Sequence, residues 1–361
     1  MKLYHLSDLH LGVVPPKRSA EEHVSLIFTK LKKILAEAQA NNVAVVLFAG
    51  DTFDSNAIST KIALEFFSIL SLFPEIHFVL IPGGGQNTEN EISGHDAYTS
   101  DSIYRRPEVA ALLERDNIHF LSPDRPSVII QTPEQKIAFY AGFFGYPQPD
   151  LFPEADYQIA ILHGAFGPNE KYEKPLKPDI LKRYHYLALG HYHSYKKIGE
   201  NAFYSGAFVP FEFLATAQAE GGFLKVDLSQ TPLQVTKHSF DDVPSYLRLQ
   251  IFSEDDLKKL EELDFSKVYV RIDSYLELFE NSLRKLCSSF EERISISEGA
   301  KVFSPDDVIS QIILELLEDV SPEIQAEVKE FLFYGLMVSQ QPQRLKEFLK
   351  EKFLQDLYEA Y

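Results

Sequence analysis

Six residues able to ligate a metal sit just past apolar stretches of this chain. Asp8 and His10 follow residues 3–6 in SDLHLG, and Asp51 follows residues 43–48 in AGDTFD, a segment that also holds Asp54. His163 follows residues 159–162 in ILHG, and His191 and His193 follow residues 186–189 in LGHYHS. Carboxylate and imidazole together suit Mn, Fe or Zn, and a set without thiolates is not a structural zinc knuckle. Alternation along an extended chain puts the two imidazoles of H-x-H on one side. Six ligands exceed what one open catalytic metal needs. They suit two ions about 4 Å apart that share a bridging carboxylate. Such a pair grips a phosphate ester and supplies a hydroxide by lowering the pKa of bound water.

Each of these residues needs a strand end to hold it. Short apolar runs at residues 3–6, 43–48, 77–81, 128–131, 137–140, 158–162, 186–189 and 223–226 read as strands. Residues 21–40 carry Val24, Ile27, Phe28, Leu31, Ile34 and Leu35 at a helix period, and residues 58–72 form a second such segment. Strand–helix alternation followed by closely spaced strands predicts an α/β fold: a two-sheet β-sandwich flanked by helices. In open α/β sheets ligands gather at the carboxyl ends of strands. The predicted strands would bring the six residues to one edge. The texture changes after about residue 240. Two strands around a charged helix, then a helix over residues 276–290, predict a small α/β cap across residues 241–300. Residues 301–361 are expected to be helical, with starts at Ser304-Pro305 and Ser321-Pro322. The expected domains are thus 1–240, 241–300 and 301–361.

Composition narrows the partners. The formal net charge of −18 argues against coating nucleic acid by bulk electrostatics, though a local basic groove remains compatible. The single cysteine, Cys287, excludes an intramolecular disulfide framework and fits a reducing, cytoplasmic setting. The opening MKLYHLSDLHLG has no signal-peptide layout, and no run approaches the length of a membrane span.

The order of the motifs resembles the calcineurin-like metallophosphoesterase superfamily: D-x-H, G-D-x-x-D, G-N-H-[DE], H, G-H-x-H. Here it reads Asp8-Leu9-His10, Gly50-Asp51-Thr52-Phe53-Asp54, an altered third block, His163, and Gly190-His191-Tyr192-His193. The resemblance covers about residues 1–240. It is greatest to the SbcD-type nucleases of double-strand-break repair, through YHLSDLHLG, FAGDTFD, DSIYRR, FYSGAFVPFEF and GGFLKVDL. It implies that Asp8, His10 and His193 hold one metal, that Asp51 bridges, and that His163 and His191 hold the other with the Asn of the third block. The His of that block would stand over the phosphate. Two divalent ions are implied, Mn first, with Zn or Fe as alternatives.

The third block is the departure. Aligned at the strand end, Gly84-Gly85 fall where Asn-His is expected. Aligned on GHDAYTSDSIYRR, Gly94-His95-Asp96 become the block, only the Asn is lost, and residues 84–93 are an insertion. The second alignment is preferred, because the Tyr-Arg stretch follows it. His95 and Asp54 are then the catalytic candidates, and Asn87 or Asn90 the substitutes for the missing ligand.

The resemblance implies DNA ends as substrate, an SbcC-type ATPase docked through the C-terminal helices, and a homodimer. Arg105, Arg106, Lys171, Lys174 and Lys177 are the candidate DNA contacts; ordinary solvated charges are the competing reading. The apolar residues 63–73 are a candidate dimer face, and the run at 331–338 must be buried, within the chain or by the partner. The alternatives are a phosphoesterase acting on a small phosphate ester, or a catalytically weakened metal-binding scaffold.

Overall fold

The computed structural model describes residues 1–88, 91–142, 151–167, 178–214 and 219–303. It divides into two units, Met1–Tyr246 and Leu247–Tyr361. The helices expected from Ser304 onward, and the apolar run at 331–338, lie outside the described residues.

The first unit opens with β1 (Lys2–Leu6), α1 (Ala20–Ala40), β2 (Val45–Ala49), α2 (Thr60–Ser71) and β3 (His77–Ile81). β2 is buried at every position, so its apolar run does not alternate; a strand covered on both faces reads this way. α1 starts where the sequence can satisfy free amides. The Ser19 hydroxyl accepts the Glu22 N–H, and the Glu22 carboxylate accepts the Ser19 N–H. A short antiparallel pair follows, β4 (Gly85–Thr88) and β5 (Glu91–Ser93), then α3 (Pro107–Leu113) and β6 (Ile118–Phe120).

The second sheet is built from β7 (Ser127–Gln131), β8 (Lys136–Gly142), β9 (Tyr157–His163), β10 (Tyr186–Gly190), β11 (Lys196–Lys197) and β12 (Ala202–Tyr204), with α4 (Pro178–Arg183) before β10. β13 (Gly222–Asp227) and β14 (Gln234–Ser239) return to the first sheet. The first sheet has the order β14-β13-β1-β2-β3-β6, and the second β11-β12-β10-β9-β8-β7. β1, β2, β3 and β6 run parallel, as do β8, β9, β10 and β12. Antiparallel β13 and β7 make both sheets mixed.

The core lies in layers. Between the sheets, Leu3, Val45, Leu47 and Val79 meet Phe139, Ile159, Ile161 and Ala188. On the outer face of the first sheet, Val46, Phe48 and Phe78 pack with Ile27, Leu31 and Leu35 of α1 and Phe66, Phe67 and Leu70 of α2. The apolar surplus of α2 is therefore largely buried within the chain, although Leu72 remains 65% exposed. One polar link crosses the inner layer: fully buried His5 Nδ1 lies 2.8 Å from the Tyr186 hydroxyl.

The second unit has a three-stranded sheet, ordered β15 (Ser245–Ile251), β16 (Val268–Leu276), β17 (Ile294–Phe303). β15 starts at the end of the first unit. α5 (Glu254–Glu261) and α6 (Glu280–Ser289) connect the strands. Leu260, Val270, Ile272 and Leu283 share its core. The helix expected over residues 276–290 starts later. Leu276 is still strand, paired with Phe303, and a single 3₁₀ turn at Glu277–Phe279 precedes α6. Among the described residues, no helix is long and apolar enough to cross a membrane.

Candidate metal centre

The parallel strands β1, β2, β3, β9 and β10 deliver their carboxyl ends to one edge of the first unit. The loops after β1 and β2 continue side by side. Asp8 N–H donates to the Gly50 carbonyl at 3.1 Å and His10 N–H to the Asp51 carbonyl at 2.9 Å. Asp8, His10, Asp51, His95 and His191 all have positive φ, between 38° and 107°. Among the described non-glycine residues only Lys17 and Asn42 share that property, so the strain concentrates at this edge. Each such position costs of order 1–3 kcal/mol and persists where surrounding structure fixes it.

Three groups of donor atoms come together here: Asp8, His10 and His193; Asp8, Asp51 and His163; and His10, Asp54 and His95. His191 lies beside them. Its N–H donates to both oxygens of Asp8 at 3.0 and 3.1 Å, and its ring lies 5.6 Å from that of His163. Close packing demands glycine around them. A Cβ on Gly50 would fall 2.3 Å from His163 Nδ1, and one on Gly83 would fall 1.9 Å from Asp51 Oδ1.

The donor set fits divalent ions. Nε2 of His10 and Nε2 of His163 are buried and make no hydrogen bond, yet lie 3.6 and 3.1 Å from Asp51 Oδ2. His5 and His23 also carry a buried Nε2 without a hydrogen bond, but only those of His10 and His163 lie among the grouped carboxylates, where a metal ion fits as the missing partner. The opposite ring nitrogens are held. His163 Nδ1 donates to the Ala49 carbonyl at 2.8 Å, His10 Nδ1 lies 3.2 Å from Asp54 Oδ1, and His193 Nδ1 bonds the Glu212 carboxylate. Such partners fix tautomer and ring orientation for ligation through Nε2.

The electrostatics agree with a cation-binding cluster. Burial by itself would raise the Asp51 carboxyl, but the charges of His163, His10 and His95 outweigh it and hold Asp51 well below the usual carboxylate range. Burial would likewise lower His163, but the Asp51 charge outweighs it and pushes the imidazole up to about 10. For His193 burial is again outweighed, here by the Glu212 hydrogen bond, and the net shift is upward. Burial lowers His191.

The third block is assembled from two separated pieces. Gly83 and Gly84 follow β3 at its end, and Gly84 N–H donates to Asp51 Oδ1 at 2.8 Å. His95 arrives from beyond β5. Its Nδ1 donates to the Asp54 carbonyl at 3.0 Å, its Nε2 lies 3.9 Å from Asp51 Oδ2, and its side chain is 42% exposed. The next residue, fully buried Asp96, accepts Gly83 N–H at 2.7 Å and Thr52 N–H at 3.0 Å. β4 and β5 thus form an excursion between Gly84 and His95.

The remaining sequence candidates are placed less favourably or not at all. Asn87 is in β4, and its side chain is not described; Asn90, Lys171, Lys174 and Lys177 lie outside the described residues. Arg105 sits 4.0 Å over the Tyr98 ring and 3.5 Å from Asp124. Arg106 points its guanidinium into the protein, donating to the Ile58 carbonyl at 2.9 Å, to Thr60 Oγ1 at 2.8 Å and to the Asn56 carbonyl. Glu212 was missed in the sequence. It lies outside any strand, and no spacing to the His pair points to it.

The sequence profile of the calcineurin-like phosphoesterases matches residues 1–195. The DNA double-strand break repair protein Mre11 of Methanosarcina acetivorans is 24% identical over 348 residues, which cover 91% of this chain and 52% of that protein. The chain therefore spans about half the length of that relative. Two solved structures resemble it at 12% identity. The protein TT1561 of Thermus thermophilus has a TM-score of 0.41 over 65% of this chain and 98% of its own. A phosphatase from Mycoplasma pneumoniae has a TM-score of 0.36 over 66% and 93%. With more than half of its length matched by one family profile, and with buried Asp and His groups suited to a binuclear centre, this chain belongs to the calcineurin-like phosphoesterases, metal-dependent hydrolases of ester bonds.

Proposed function

We propose that this protein is a two-metal phosphodiesterase that cuts DNA. The observation that carries the hydrolytic reading is the convergence of Asp8, His10, Asp51, His163 and His193 on one sheet edge, with the His191 ring beside that of His163 and the exposed imidazole of His95 near Asp51. The similarity to Mre11 supports DNA as substrate.

Asp8, His10 and His193 would hold one ion, and Asp51, His163 and His191 the other, with Asp51 between them. Bound ions of this kind supply a hydroxide at neutral pH and neutralise charge on the phosphate. The chain does the rest. Asp54 and Glu212 hold the His10 and His193 rings so that Nε2 faces the centre. The Asp54 carbonyl holds His95 by Nδ1, leaving Nε2 turned toward Asp51. In its imidazolium form His95 donates from Nε2 to the departing oxygen, or to a phosphoryl oxygen as negative charge develops. Asp96 fixes the strand ends that carry Asp51 and Gly83.

The test is Mn-dependent degradation of linear single- and double-stranded DNA, set beside hydrolysis of a small aryl phosphodiester. His191→Ala serves as the control. Cleavage of both substrates by the unmodified protein, abolished in the control, is the expected result. Cleavage of the small diester alone would replace DNA with a small phosphate ester as substrate. Docking of an SbcC-type ATPase and homodimer formation belong to the same proposal; copurification and light scattering test them.

A further inference from the structure

We infer that the two metal positions of this centre are unequal: the Asp8–His10–His193 position binds its ion first and tightly, and the Asp51–His163–His191 position binds weakly and fills last. The inference rests on the two-metal reading above and concerns what this chain's own residues do to each position.

Two observations separate the positions. The first is what stands behind the imidazoles. His10 and His193 are backed by the carboxylates of Asp54 and Glu212, which raise the basicity of the ligating nitrogen. His163 is backed only by the neutral Ala49 carbonyl. The second is the strand end. β1, β2, β9 and β10 each reach this edge with a ligand side chain, whereas β3 reaches it with Gly83 and Gly84. Gly83 cannot be replaced by a ligand, because any Cβ there would fall 1.9 Å from Asp51 Oδ1. Gly84 has φ of +95°, a region that favours glycine and that Asn enters more readily than most residues.

The consequence is graded filling. At limiting metal the centre holds one ion, and the second binds only as the concentration rises. The dinuclear form would then follow the supply of free divalent cation.

The experiment is a calorimetric titration of the metal-stripped full chain with Mn²⁺, followed in parallel by electron paramagnetic resonance. The expected result is two binding classes separated by at least about tenfold, with an isolated-ion spectrum at one equivalent and a spin-coupled spectrum at saturation. Gly84→Asn should tighten the second class about tenfold or more and leave the first within about twofold. His163→Ala should abolish the second class and keep the first, which preserves the test if the Asn variant folds poorly. Two equal classes in the unmodified chain, or equal weakening of both by His163→Ala, would overturn the inference while leaving the two-metal reading intact. No Mn²⁺ binding at all would remove that reading, and the inference with it.

Discussion

Asp96 reaches Gly83 across thirteen residues of sequence: its Oδ1 accepts the Gly83 N–H at 2.7 Å, in a fully buried position. Its Oδ2 accepts the N–H groups of Thr52 at 3.0 Å and Phe53 at 3.2 Å and the Tyr104 hydroxyl at 2.6 Å. One carboxylate therefore ties the end of β3 to the loop after β2. Burial, then the neighbouring Asp51 charge, pushes its carboxyl up to about 6, so it is ionised at neutral pH and can serve all four donors. Asp96→Ala strands three main-chain amides and a phenol in the interior. The loss expected is about 3 kcal/mol or more, read as a lower denaturant midpoint. A loss below about 1 kcal/mol would show that water replaces the carboxylate.

Gly83 is the most sterically constrained of these loop residues. A methyl at this position would meet the Asp51 carboxylate at 1.9 Å and the Asp51 main-chain nitrogen at 2.3 Å. Gly83→Ala should displace Asp51 or the strand end, with the 1–3 kcal/mol penalty of overpacking and a clear loss of bound metal. Full metal loading in this variant, measured by atomic emission on the purified protein, would contradict the packing described.

Glu212 acts through His193. Glu212→Gln keeps the shape and removes the charge that raises the basicity of the imidazole. The expected effect is a 10- to 100-fold weaker first metal ion, with little change in unfolding temperature in the presence of chelator. Unchanged affinity would mean that Glu212 is an incidental surface partner of the ring.

His5 gives a pH signature independent of metal. Burial holds its imidazole down to about 3, against about 6.5 in an unfolded chain. The native state stays neutral while the unfolded state takes up a proton below about pH 6.5. Stability from this group is therefore full above about pH 6.5 and falls as pH drops toward 3, by roughly 3 kcal/mol at pH 4. Denaturant unfolding in chelator should show that slope. The double variant His5→Leu with Tyr186→Phe removes both hydrogen-bonding partners together and should flatten it. An unchanged slope would assign the acid sensitivity to other groups, such as buried His23.

Much of this centre was legible because strand ends are legible. The apolar runs before Asp8, Asp51, His163 and His191 are inner strands, and a polar residue that follows such a run has little choice but the sheet edge. The partner of each ring was not legible. Glu212 and the Ala49 carbonyl meet His193 and His163 only through tertiary packing, which no local spacing encodes. The third block was readable only as two alternatives, because residues 85–94 separate Gly84 from His95 and only the folded chain brings them together at Asp51. β6 and β12, three residues each, are too short to show a period. Arg106 reads as a basic contact in sequence, but in the structure it binds the carbonyls of Asn56 and Ile58.

The most direct test of the central claim is anomalous diffraction at the manganese edge from crystals equilibrated with excess Mn²⁺. The account predicts two peaks about 4 Å apart, one among Asp8, His10 and His193 and one among Asp51, His163 and His191, with the lower occupancy at the second when metal is limiting. A single peak at saturation, or peaks away from these side chains, would contradict it.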